Sequence, residues 1–133
     1  MFFEITIKRT VMDANGNDKT VNERFITKDC NFFAEAEAKG IEYYNNEGEV
    51  IAIKISNIKE FVNERDDDDE YLFLSTIEDK FVDDSGEKDT KYVVAVFARS
   101  FDEASHLTKE YMKMGLNDMT LVAVKRTKII DLI

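Results

Sequence analysis

Two side chains able to do chemistry near neutral pH occur once each in this chain, Cys30 and His106. Together they would form a thiolate and its base. Cys30 stands just before a predicted helix start, where a thiol pKa can fall. Nothing in the sequence places His106 beside it, and the corresponding place later in the chain is about Ala98, a packing residue. Cys30 therefore reads as a small buried apolar group. A zinc site built from Cys and His needs four ligands, or three and a water. Glu103-Ala104-Ser105-His106 has the Glu-x-x-His spacing of carboxylate-bridged metal sites in helical bundles, which use the motif twice. The earlier half offers Glu35-Ala36-Glu37-Ala38, with no histidine. His106 reads as an exposed or partly buried helix residue.

The 28 Asp and Glu residues single out no catalytic pair, since glycosidase-type chemistry needs two carboxylates at a fixed gap. Gly-x-Gly-x-x-Gly, P-loop and Gly-x-Ser-x-Gly patterns do not occur. The run Asp66-Asp67-Asp68-Asp69-Glu70 lacks the spaced ligands and central glycine of an EF-hand. It reads as a solvated linker over residues 63–70, held open by self-repulsion. The sharper alternative is a docking site for a basic partner or a divalent cation. The expectation is a non-enzymatic protein with no catalytic, cofactor-binding or metal residues.

The cations are more orderly. Lys54 and Lys59 recur as Lys125, Arg126 and Lys128, both groups on or just after a predicted third strand. Aromatics Phe2, Phe3, Tyr71 and Phe73 open the predicted first strands. A sheet face bearing lysines and aromatics can stack and track a single strand of nucleic acid. Lys54, Lys59, Lys125, Arg126 and Lys128 are accordingly the candidate nucleic-acid contacts. Against them stands a net charge of −10 and a pI of about 4.6, which repels a polyanion at long range.

These residues must be positioned by elements that are readable from periodicity. Phe3, Ile5, Ile7 and Val11 alternate with polar residues, which predicts a strand over 2–12. Asp13 to Asp18 is a turn, and residues 19–28 return as the second strand of a hairpin. Asn31 is placed to cap a helix whose buried face is Phe33, Ala36, Gly40 and Tyr44. Val50-Ile51-Ala52-Ile53 then predicts a strand over 50–58, buried on both faces. The plan returns with a strand from Tyr71 to Val82, a turn at Ser85-Gly86 and a strand from Lys91 to Ala98. Ser100-Phe101-Asp102-Glu103 has the form of a capping box. Phe101, Ala104, Thr108 and Tyr111 mark the second buried helix face, and Met119 to Lys128 the last strand.

The order of landmarks suggests one unit used twice, about 70 residues apart. Phe33-Ala34-Glu35-Ala36 returns as Phe101-Asp102-Glu103-Ala104. Ala52-Ile53-Lys54 with Ile58 and Glu60 returns as Ala123-Val124-Lys125 with Ile129 and Asp131. The expected fold is α+β: two strand–strand–helix–strand units, 1–62 and 71–133, with six strands and two helices packed on one side. A chain of 133 residues, 44% hydrophobic and without proline, suits one such domain with a shared core.

Phe25, Phe33 to Ala38, Ile53-Lys54 with Ile58 and Glu60, and Val122 to Thr127 with Ile129, Asp131 and Leu132 also carry a resemblance. The chain resembles an uncharacterised protein family, a domain of unknown function, of Bacteroidota and their tailed, crAss-like phages. The resemblance implies an intracellular origin and a phage context, and it carries no functional residue over. The single cysteine excludes an intramolecular disulfide and fits a reducing cytoplasm. No signal peptide or membrane-spanning stretch is visible in the sequence. The expected function is a small acidic binding protein that engages a protein partner or itself, with no membrane association. The alternative is single-stranded nucleic-acid binding, and a weaker third reading is an acidic mimic of nucleic acid that occupies a basic site.

Overall fold

The computed structural model describes residues 1–115 and 118–133, and its architecture is α+β. The chain runs β1 (Phe3–Met12), β2 (Asp18–Thr27), α1 (Phe33–Tyr43), β3 (Glu49–Ile55) and β4 (Ile58–Phe61). It continues β5 (Tyr71–Asp83), β6 (Gly86–Ala98), α2 (Phe101–Met112), β7 (Asp118–Arg126) and β8 (Ile129–Leu132). The described residues thus hold eight strands in two four-stranded sheets, ordered β3-β1-β2-β8 and β4-β6-β5-β7, where six strands were expected. The two additional strands are the short ones, each opening on a buried isoleucine, Ile58 and Ile129. Each leaves the strand before it and pairs in parallel with the second strand of the other sheet: β8 with β2, β4 with β6. The compact units are therefore Met1–Ser56 with Lys128–Ile133, and Asn57–Thr127.

In the first unit, Phe3, Ile5 and Ile7 of β1 point to one face and are fully buried with Phe25 of β2. Burial of each such side chain contributes about 1.5–3 kcal/mol. Helix α1 covers that face with Ala36 and Gly40. Gly40 is required by proximity: a Cβ there would lie 2.7 Å from Val50 Cγ2 and 2.9 Å from Ile5 Cδ1. Asn31 does not cap this helix. Phe32 occupies the N-cap without a side-chain hydrogen bond, and Glu35 reaches back to accept from the Asn31 amide at 3.3 Å. Asn45 and Asn46, both with positive φ, turn the chain out of the helix, a conformation asparagine tolerates better than most residues.

In the second unit two strands, a helix and a strand again follow in that order. Phe73, Ser75 and Ile77 of β5 face α2, which lays down Ala104 and Thr108. The Ser100 hydroxyl accepts from the Glu103 amide at 3.1 Å, as the capping pattern predicts. The Ser75 and Thr108 hydroxyls lie 2.8 Å apart, and Thr108 also donates to the Ala104 carbonyl.

Three expectations need correction. Phe33 and Phe101 are half exposed, at 51% and 55%, although each also meets the ring of Phe3 or Phe73 at 5.1 Å. A first-turn helix residue sits at the rim of the sheet, so only part of its ring finds cover. The acidic run is not solvated throughout. Glu70 is 7% exposed, and its carboxylate accepts from the amides of Asp66 and Asp67. Asp67 pairs with Arg99, and the Asn63 amide brackets the backbone of Phe97 at 2.7 and 2.9 Å. These bonds tie residues 63–70 onto the end of β6. Finally, β3 is not buried on both faces. It is an edge strand, with Ile51 and Ile55 exposed.

Candidate interaction edge

The expected cationic contacts of the second unit do not form one patch. In the second unit, Lys59 lies on β4 and Lys125 and Arg126 on β7, at opposite edges of the sheet. Three strand spacings, about 14 Å, separate those edges. Lys125 and Arg126 also diverge, because they pair with Leu74 and Phe73, which face opposite sides of β5. Lys59 Nζ sits 4.1 Å from the centre of the Tyr92 ring, and the Arg126 guanidinium 4.7 Å from that of Tyr71. In the first unit, Lys54 is exposed and faces Glu4 at 3.3 Å, and Lys128 leads into β8.

Lys59 and Tyr92 line a groove of about 440 Å³ with Glu60, Asp79 and Tyr111. Tyr111 donates its hydroxyl to Glu60. Burial pushes the Tyr92 phenol up, with Asp79 and Glu60 adding to the shift. These contacts are made within the protein, with Lys59 already on the Tyr92 face. Cys30 is fully buried and its thiol lies 3.4 Å from the Lys28 carbonyl; His106 is exposed on α2. Among the described residues no three His, Cys, Asp or Glu side chains gather in a way that could hold a metal ion. No described helix is long and apolar enough to cross a membrane.

The feature that sequence reasoning missed is the outer edge of β3, Glu49-Val50-Ile51-Ala52-Ile53-Lys54-Ile55. Its inner edge pairs with β1, and its outer edge carries no strand among the described residues. An open edge presents unpaired amides and carbonyls to any extended chain. Ile51 and Ile55 are 45% and 57% exposed beside it. Ile55 stands opposite the buried Phe3, whose ring also meets the half-exposed Phe33 at the start of α1. A continuous apolar run signals burial, and here the signal was right about chemistry and wrong about cover.

The ladder between β1 and β3 has a bulge. Thr6 stands opposite Ala52 and Ile7 opposite Val50, which leaves Ile51 as the extra residue. The ladder between β5 and β7 has its counterpart at Val122, between the pairs Thr76–Ala123 and Ile77–Leu121. The edges then diverge. Where β3 ends in Lys54-Ile55, β7 ends in Lys125-Arg126. Charged residues are the usual guards of an open edge. The β7 edge closes on two adjacent cations; β3 carries Glu49 at its start and one cation, Lys54, held toward its own sheet by Glu4.

At the helix end of β1, Arg9 pairs with Glu23 and lies 4.4 Å from the centre of the Tyr44 ring, while Tyr44 donates to Glu23 at 3.0 Å. Burial first, and then the hydrogen bond to Glu23, pushes the Tyr44 phenol up to about 12. This constellation fixes the end of α1 on the sheet. No curated protein matches the chain in sequence. The model of one family matches residues 1–133, and the chain belongs to that family, the domain of unknown function DUF4494.

Proposed function

We propose that this chain is a non-enzymatic acidic binding module that engages a protein partner, or a second copy of itself, through the open edge of β3. The observation that carries the reading is the pairing of an unguarded edge with exposed Ile51 and Ile55. Main-chain hydrogen bonds would supply affinity, and the apolar side chains would supply burial. Charge distribution supports the same unit. Its eight Lys and Arg stand against eleven Asp and Glu, whereas the second unit has ten against seventeen. An approaching acidic protein is therefore repelled less by the first unit. We read the two halves as one plan used twice, of which one edge is left open for binding. The bacterial, phage-related cytoplasmic setting implied by the sequence resemblance is part of this proposal.

A second reading has its own observation. In the second unit, exposed Tyr71 lies under Arg126, and Arg126 pairs with Phe73, whose ring meets half-exposed Phe101, an aromatic and cationic arrangement on which a nucleobase could stack. The experiment that separates the readings places a photo-crosslinking residue at Ile51 and, in a second protein, at Tyr71. The proposal expects protein adducts from position 51 in cells. Adducts to nucleic acid from position 71 with none from position 51 would select the second reading.

A further inference from the structure

The bulge at Ile51 has a consequence for the partner that β3 accepts. In a regular strand, Glu49 and Lys54 would point to opposite faces, because they are five residues apart. The extra residue restores parity. Glu49 stands opposite Lys8 and Lys54 opposite Glu4, both on the β1 face that alternates with Phe3, Ile5 and Ile7. Val50 and Ile53 stand opposite Ile7 and Ile5 and share the other face. Measured by their β1 partners, Glu49, Val50, Ala52, Ile53 and Lys54 occupy levels 8, 7, 6, 5 and 4. That set is symmetric about Thr6. At mirrored levels it places an acid against a base and an aliphatic residue against an aliphatic one, with the small Ala52 at the centre.

From this symmetry we propose that the partner at the β3 edge is a second copy of this chain, paired antiparallel about Ala52. The inference rests on the reading of β3 as the binding edge. Glu49 then faces Lys54 of the second copy, and Val50 faces its Ile53. The charges line up across four strands as Glu4, Lys54, Glu49 of the second copy and Lys8 of the second copy, alternating in sign. A two-fold axis repeats the row. Opposite charges directly across a sheet are favourable, and like charges are not. A two-fold contact must be self-complementary, and this strand is. The corresponding row in β7 does not alternate. Leu74 pairs with Lys125, and Glu78 with Thr120, so a copy paired there would set Lys125 against Thr120. One strand edge with its flanking Ile51, Ile55 and Phe33 is small beside a standard interface, so the dimer is expected to be weak, with a Kd of about 10 μM.

The test uses the full chain and two charge reversals, Glu49→Lys and Lys54→Glu, with sedimentation velocity from about 1 to 200 μM. The unaltered chain is expected to pass from monomer to dimer across that range. Each variant alone sets like charges at both mirrored sites and is expected to weaken dimerisation by about tenfold or more. Mixed in equal amounts, the two variants regain an opposite pair at both sites, so dimerisation should return toward the original strength. A purely structural defect in either variant would not be repaired by mixing. An unaltered chain that stays monomeric to 200 μM overturns the inference, and so does a dimer indifferent to both reversals or variants whose mixture stays apart. If the chain is monomeric yet the crosslinker at Ile51 still captures a different protein in cells, the dimer fails while β3 stands as the binding edge.

Discussion

The two units fill the same place in two chemically different ways. Where α1 crosses β1, Gly40 lies over Ile5; where α2 crosses β5, Thr108 lies over Ser75. Both solutions satisfy one spatial demand. A large residue on the strand requires none on the helix, and two small hydroxyl residues bond to each other. Interiors are close-packed, so the sum of the facing volumes is constrained more tightly than the identity of either residue. The contrast at Thr27 and Val96 is less balanced. Thr27 pairs with Phe3 as Val96 pairs with Phe73. Val96 is apolar, whereas the Thr27 hydroxyl is buried without a hydrogen-bond partner among the described residues. The same contrast reaches the outer edges, where Ile55 ends β3 and Arg126 ends β7.

Grafting residues between the units has its largest expected effect at the helix crossing. Gly40→Thr puts the residue of the second unit over Ile5 and should cost about 3 kcal/mol, since two side chains must move to admit even a Cβ. Adding Ile5→Ser recreates the facing pair of the second unit. The double variant should be less destabilised than the sum of the single ones by about 1–3 kcal/mol, as measured by denaturant unfolding. Additive losses would show that the two crossings differ in more than volume. Thr27→Val makes the first unit match the second at this position and removes that buried hydroxyl. It should raise stability by about 1 kcal/mol, and an unchanged or lowered midpoint would show that the hydroxyl is satisfied.

The smallest expected effect is one of pH. Tyr44 in the first unit and Tyr92 in the second both have phenols pushed up, Tyr44 to about 12. A raised folded pKa means that the folded chain holds its proton where the unfolded chain, titrating near 10, has lost it. The contribution is complete below about pH 10 and is lost as pH climbs toward 12. Tyr44→Phe should flatten that fall in a series of unfolding curves from pH 9 to 12. An identical fall in the variant would assign the loss to other groups.

Much of this architecture was legible in the sequence because alternation and helical spacing report local burial. Phe3, Ile5 and Ile7 marked one face of β1, and Ser100 to Glu103 marked the start of α2. The short strands were missed for a physical reason. Four residues carry too little alternation to stand out, and the pairing of Ile58 with Val93 or Ile129 with Arg24 depends on strands distant in sequence. The acidic run misled because charge count says nothing of backbone amides, and Glu70 is held by two of them. At the candidate site, the lysines were visible and their divergence was not, since which residues face one another depends on register. The edge of β3 stayed hidden for the same reason. Its composition is that of a buried strand, and only the sheet order shows that no strand among the described residues lies outside it.

Exchanging the ends of the two edges tests whether their difference decides where the protein binds. Ile55→Arg gives β3 the guard of β7, and the readout is the yield of protein adducts from a photo-crosslinking residue at position 51. The chain should keep its circular dichroism spectrum and its unfolding midpoint within about 0.5 kcal/mol, because Ile55 is exposed. The adduct yield should fall severalfold, and Arg126→Ile should bring new adducts to a crosslinker at position 122. Undiminished adducts from position 51 in the Ile55→Arg chain would contradict the claim that the unguarded β3 edge is where this protein binds.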